Sequence, residues 1–284
     1  MDLTYWFLLP VSIVIAGLAN GAGVGGATFF SPLFILALGL EPQVAIGAAL
    51  ITEVFGFASG VSAHARARTV DWKVARLLIT VSVPAAVVGS LVAGVVSSTV
   101  LKAILGLGLA AIAVAFLRHH ELEREDEAIA RGEGIVKPAE HRKVVTRRGE
   151  TIEYELCRRN EGRWFAGLGG LFVGLISTGL GELNSYALVM RCRIPTRVTV
   201  ATSVVVVAIT ALAASITHLV DFVSAGTSLE TVLALVIFTV PGVVIGGQLG
   251  PQLTRQVPEH TLMRFLGVLF VGVSLLTLGE VVFG

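Results

Sequence analysis

Apolar runs long enough to cross a bilayer, at about 20 residues each, recur along almost the whole of this chain. They fall at Leu3 to Asn20, Val44 to Ala63, Val74 to Val96 and Thr99 to Leu117, with a shorter run at Ala27 to Leu40. The pattern resumes at Trp164 to Leu180, continues with a short run at Leu183 to Met190, and then covers Val198 to Leu219, Leu229 to Leu249 and His260 to Phe283. Such a chain has only two foldable forms in hydrocarbon, helices and closed barrels, because every backbone polar group needs a partner inside the protein. The runs are far too long for barrel strands. The expected class is therefore an all-α integral membrane protein with about ten transmembrane segments, some short or broken. Composition agrees: 54% of the 284 residues are hydrophobic and 14% charged.

Several function classes drop out early. A net charge of +1 gives no one-signed basic patch for nucleic-acid phosphates. Cys157 and Cys192 have no metal-ligand spacing and are too few for a disulfide framework. No nucleophile with a base partner stands out, so no catalytic residue, metal or cofactor is expected. The first residues, Met1 to Pro10, lack the basic region and cleavage site of a signal peptide and read as the start of the first span. No Walker sequence occurs, which argues against ATP as the energy source.

The chain divides into 1–117, a first transmembrane repeat; 118–163, a polar linker; and 164–284, a second repeat. The linker begins with helix-forming residues up to Arg131, and Lys143 to Cys157 carries β-branched and aromatic residues around RRGE, the pattern of a small hairpin. Basic residues gather on cytoplasmic loops. With the linker cytoplasmic, the same side holds Arg66, Arg68, Lys73, Arg76, Arg191, Arg193, Arg197, Arg255 and Arg264, and Lys102 alone lies opposite. That places both termini in the periplasm and the protein in the inner membrane, surrounded by lipid.

Five crossings per half make the second half enter from the opposite face. The halves also resemble each other. GLANGAGVGG (Gly17 to Gly26) corresponds to GLISTGLGEL (Gly174 to Leu183), EPQVAIGAALI (Glu41 to Ile51) to IPTRVTVATSV (Ile194 to Val204), and VPAAVVGSLVAG (Val83 to Gly94) to VPGVVIGGQLG (Val240 to Gly250). A 5+5 inverted-topology repeat is the signature of many secondary transporters, whose site lies near the midplane where the repeats meet.

Glycine-interrupted short segments in matching positions point to that site. Here they are GAGVGG and STGLGE, and the candidate substrate-binding residues in and beside them are Asn20, Gly23, Gly25, Gly26, Ser177, Thr178, Gly179 and Gly181. Freed N–H groups at such breaks suit an anion. The competing reading is that the glycines only let helices approach closely. Glu53, midway along the third span, and Glu182, in the second glycine turn, are the carboxylates placed deepest. An ionised side chain there costs on the order of 2.5 to 3.5 kcal/mol, whereas a neutral one costs little. Both are candidate proton-coupling groups, with a neutral glutamic acid bonded to a neighbouring helix as the alternative. His64 and His218 are expected at span ends near water.

The turn GAGVGGATFFSP, the segment VATSV after a proline at a helix start, the loop TVDWKVA and the VPxxxxG helix in both halves together resemble the TauE/SafE sulfite exporter family, also called the toluene sulfonate uptake permease family. The resemblance covers nearly everything outside Arg118 to Arg163. It implies transport of a small sulfur-containing anion, sulfite or an organosulfonate, commonly as export, and it places a hydroxyl pair, Thr202 and Ser203, at the substrate. The first half has GAAL (Gly47 to Leu50) where the second has ATSV. An anion channel of the same architecture is the second reading, and an intramembrane enzyme or lipid flippase using the two glutamates the third. The oligomeric state, with a homodimer among the options, is left open.

Overall fold

The computed structural model describes residues 3–22, 27–118, 140–147, 149–156, 159–185, 187–188, 194–225, 229–253 and 259–283. The glycines Gly23, Gly25 and Gly26, the helical stretch expected from Arg118 to Arg131 apart from Arg118 itself, and both cysteines lie outside them.

The protein is a multi-pass, all-α membrane protein with one small hairpin. The first half contains α1 (Leu8–Ala22), α2 (Ala27–Pro32) continued by a π-helical turn (Leu33–Ala37), α3 (Pro42–Ala67), α4 (Trp72–Val95) and α5 (Ser98–Leu117). Strands β1 (Glu140–Val145) and β2 (Thr151–Leu156) follow. The second half contains α6 (Arg159–Ile176), α7 (Leu180–Ser185), α8 (Thr196–Ala225), α9 (Leu229–Leu253) and α10 (Glu259–Phe283). Among the described residues six helices are long and apolar enough to cross a membrane, those built on α3, α4, α5, α8, α9 and α10, and shorter apolar helices run over Leu8–Ala19 and Ala27–Ala37. Side chains such as Leu107, Val268, Leu275 and Phe283 stand exposed on α5 and α10. In water that would be a large apolar patch; against lipid it is an ordinary surface.

Local chemistry fixes the helix ends. Pro42 starts α3 at a position where its missing N–H is no loss. Arg68, at φ +56°, closes α3 in the left-handed region, its N–H reaching Ala65 O. Asp71 then caps α4, its Oδ1 accepting from the N–H groups of Lys73 at 2.9 Å and Val74 at 3.1 Å.

The packing scheme maps onto itself when the halves are exchanged. α1 packs against α9 as α6 packs against α4; α3 packs against α8, and α5 against α10. Glycines allow the closest approaches. Gly246 of α9 lies against the Ile13 carbonyl, and Gly89, its equivalent in α4, against the Leu171 carbonyl. Any side chain there would drive two backbones apart, so the small residues set the helix separation. Directions follow from the same neighbours. Gly242 and Gly246 meet Ser12 and Ala16 in the same sequence order, so α1 and α9 run parallel, and Gly170 and Gly174 meet Ser82 and Ala86 likewise. Gly47 near the start of α3 meets Phe222 near the end of α8, and Lys102 at the start of α5 bonds Glu280 at the end of α10, at 2.6 Å. Equivalent helices α3 and α8 therefore run antiparallel, as do α5 and α10, which is the geometry an inverted repeat requires.

The hairpin pairs Glu140 with Leu156 through to Val145 with Thr151, in agreement with the sequence expectation for Lys143 to Cys157. It docks on one end of the helices. Arg147 N donates to Ala67 O at 3.0 Å, Arg197 and Glu150 form an ion pair at 2.9 Å, and the buried Tyr154 hydroxyl donates to Asp71 Oδ2 at 2.5 Å. This is also the end that carries Arg66, Arg68, Lys73 and Arg197. Lys102, the lone lysine assigned to the other side, is paired with Glu280. Replacing Tyr154 by Phe keeps the ring and removes the donor. A hydrogen bond to a charged group contributes about 1.5 to 3 kcal/mol, so the variant should melt earlier in detergent and lose its hairpin to protease first. Equal melting and equal proteolysis would mean that this bond does not hold the hairpin down.

Candidate functional site

The two broken helices meet. α6 stops at Ile176, and Ser177 (φ +60°) and Gly179 (φ +106°) turn the chain through conformations that side chains disfavour before α7 begins at Leu180. On the other side α2 begins at Ala27, directly after the first glycine segment. Its Thr28 hydroxyl lies 2.7 Å from that of Thr178, and Ser31 and Ser177 form a second close hydroxyl pair, also fully buried. These bonds join residues from opposite halves of the sequence.

Both candidate carboxylates lie at this junction. Glu53 of α3 is buried, and its Oε1 accepts from the Ala27 N–H at 3.1 Å, which satisfies one of the backbone donors freed where α2 starts. Glu182 is half-buried, and the Thr28 hydroxyl donates to its Oε1 over 3.5 Å, at the limit of a hydrogen bond. Thr28 thus stands between Thr178 and Glu182. Glu182 and Gly181 belong to the first turn of α7 and not to the turn before it, because the helix starts three residues earlier than the apolar run from Leu183 implied.

The remaining candidates are distributed differently. Thr202 is buried, and its Oγ1 accepts from the Asp71 N–H at 3.1 Å, so it anchors the loop between α3 and α4 under the hairpin. Ser203, its neighbour, is buried with no hydrogen-bond partner. Asn20 is the third-last residue of α1, and its side chain lies outside the description. Gly181 faces Val207 of α8.

His218 departs from expectation. It is 2% exposed, not near water, and its Nε2 lies 3.1 Å from the Gly174 carbonyl. The cause is the length of α8, which runs to Ala225 and so carries His218 inward from its end. His64 is half-buried, with Nδ1 3.5 Å from the Thr69 hydroxyl. Sequence reasoning also missed Thr28, Ser31 and Asn184. Thr28 and Ser31 stand inside the quoted turn motif, at a spacing of three that puts both on one helix face. Asn184 sits three residues after Gly181, the same spacing, within a stretch read as the start of an apolar run.

The two glycines of the second break differ in what they demand. A Cβ at Gly181 would meet Val207 at an ordinary 3.8 Å, whereas Gly179 combines φ +106° with Phe172 Cβ at 3.3 Å. Gly181→Ala should leave melting nearly unchanged, while Gly179→Ala should destabilise by roughly 1 to 3 kcal/mol. Equal melting of the two variants would contradict this assignment.

The chain is similar in sequence to known proteins. The chain is 25% identical over 273 residues to a probable membrane transporter protein, YunE of Bacillus subtilis (strain 168), covering 92% of this chain and 94% of the relative. It is 27% identical over 260 residues to the probable membrane transporter protein YjnA of the same organism, covering 86% and 91%. A partial match, 34% over 117 residues, joins it to the probable membrane transporter protein ORF9 of Sinorhizobium sp. No solved structure matches the chain. Residues 8–277 match the family described as Sulfite exporter TauE/SafE, and with that span the chain belongs to the TauE/SafE family.

Proposed function

We propose that this protein is a secondary carrier for a small sulfur-containing anion, sulfite or an organosulfonate, moved outward across the inner membrane with proton coupling. That it is a transporter follows from its family and from relatives named as probable membrane transporters. The observation that most supports the finer reading is the junction of α2 and α7, where Thr28, Thr178, Glu182 and Glu53 converge from both halves. Alternating access needs such a junction, because rocking one repeat against the other must make and break contacts at a shared site. An anion entering it displaces hydroxyl pairs that can donate to it instead. A carboxylate beside that anion disfavours it when ionised and tolerates it when protonated, so proton and substrate favour each other's binding, and the coupling is reciprocal.

Reconstituted vesicles test this directly. An imposed pH gradient should drive uphill movement of sulfite or a sulfonate by the wild type. Glu53→Gln keeps an oxygen for the Ala27 N–H and removes only the titration; it or Glu182→Gln should retain counterflow exchange and lose uphill accumulation. Accumulation undiminished in both variants would transfer coupling to another ion. For orientation, the basic-residue bias supports a cytoplasmic hairpin and periplasmic termini. A single cysteine at exposed Lys143, in a background with Cys157 and Cys192 changed to Ser, should resist an impermeant thiol reagent in intact cells and react after lysis. Labelling in intact cells would reverse the orientation.

A further inference from the structure

Much of the hydrogen-bonding capacity in the core is spent within the protein, and what remains unspent is informative. The α2–α7 junction satisfies its own hydroxyls: Thr28 with Thr178, Ser31 with Ser177. Thr52 pairs with Thr239 at 2.7 Å and Ser82 with Thr210 at 2.7 Å. Among the described residues Ser12, Ser90, Thr146 and Ser203 each leave a buried hydroxyl unpartnered, and Asn184 alone leaves two atoms so. Only 1% of it is exposed, and neither its Nδ2 nor its Oδ1 has a partner. An amide can make several hydrogen bonds, so leaving all of them unmade is the more costly the more deeply it is buried.

A second unpartnered group shares its seam. A Cβ at Gly181 of α7 would meet Val207 of α8 at 3.8 Å, and Ile194 N, just before α8, donates to Leu188 O, just after α7, at 2.9 Å. The chain therefore doubles back, and the two helices run antiparallel. Asn184 follows Gly181 by three residues, and Ser203 precedes Val207 by four, so each lies on the helix face that meets the other, one turn along. Ser203 is 4% exposed and its hydroxyl has no partner.

We infer that Asn184 and Ser203 form the polar subsite that recognises the transported anion in the seam between α7 and α8, and that the preferred ligand carries a hydrogen-bond donor as well as acceptor oxygens. This rests on the transport reading above. The amide N–H groups and the serine hydroxyl donate to anion oxygens, while the amide carbonyl needs an O–H or N–H from the ligand. A protonated oxyanion, or a sulfonate bearing a hydroxyl or amino group, meets both demands. A sulfonate with a bare alkyl tail leaves the carbonyl unpaired, and a site built to pair a ligand hydroxyl discriminates strongly against the analogue lacking it. The closed seam holds these groups unsatisfied, so filling it with ligand recovers what burial costs.

The test compares isethionate with ethanesulfonate, which differ by one hydroxyl, and adds sulfite, using calorimetry and thermal shift on the purified protein. Wild type should bind isethionate more tightly than ethanesulfonate by about tenfold or more. Asn184→Leu is close in size and should melt at the same temperature or higher without ligand, since it removes an unsatisfied buried group, yet it should lose the preference and the ligand-induced shift. Ser203→Ala, a smaller change, should weaken all three anions while keeping the preference. Unchanged affinities and preference in Asn184→Leu, or no preference in the wild type, overturn the subsite and leave the transport reading standing. Failure of the wild type to bind any of the three overturns the sulfur-anion reading and the subsite with it.

Discussion

A backbone break inside hydrocarbon must be satisfied by something other than lipid, and this constraint organises the protein. α2 starts at Ala27, and a helix breaks at Ser177 to Gly179. A helix start or break frees donors and acceptors that an unbroken helix would have used. The remedy is mutual. Glu53 takes the Ala27 N–H, and Ser177 turns its hydroxyl both to the Ile176 carbonyl and to Ser31. His218 reaches the Gly174 carbonyl close before the second break. Side chains from one half or one neighbouring helix thus complete the backbone of another, and the two halves cannot be separated without leaving buried polar groups unpaired.

The surrounding helices hold that junction in place by close approach and not by side-chain interlocking. α1 against α9 and α6 against α4 are parallel contacts in which glycine lets one backbone touch the next. Lipid supplies no hydrophobic drive between helices, so contact area and short separation carry the association. The glycine richness of the chain, 32 residues, therefore has two separate uses. Gly89, Gly170, Gly174, Gly242 and Gly246 serve packing, and Gly179 serves the turn.

How much of this the sequence disclosed depends on whether the signal is local. Span positions, the hairpin and the helix start at Pro42 were legible because hydropathy, strand propensity and proline geometry act within a few residues. The likeness of the halves was legible because Val83 to Gly94 and Val240 to Gly250 share spacing as well as composition. Glu53 stood out as a carboxylate in an apolar run, but its bond to Ala27 spans 26 residues and no spacing encodes it. His218 was placed near water because hydropathy faded at Leu219, whereas α8 continues for six more residues through polar Asp221 and Ser224. Asn184 was overlooked for the opposite reason: one polar residue in a short segment carries no periodic signal, and only the absence of partners distinguishes it.

Thr202 and Ser203 show why a motif cannot be assigned to a single role. They are adjacent on α8, and on a helix adjacent side chains point about 100° apart. Thr202 turns toward the α3–α4 loop and accepts the Asp71 N–H; Asp71 in turn caps α4 and receives the Tyr154 hydroxyl from the hairpin. Ser203 has no such partner. One residue of the pair fixes α8 to the loop under the hairpin, and the next is buried with its capacity unspent. A shift of α8 against the α3–α4 loop would strain the bond from the Asp71 N–H to Thr202, and through Asp71 the hairpin's hold on that loop.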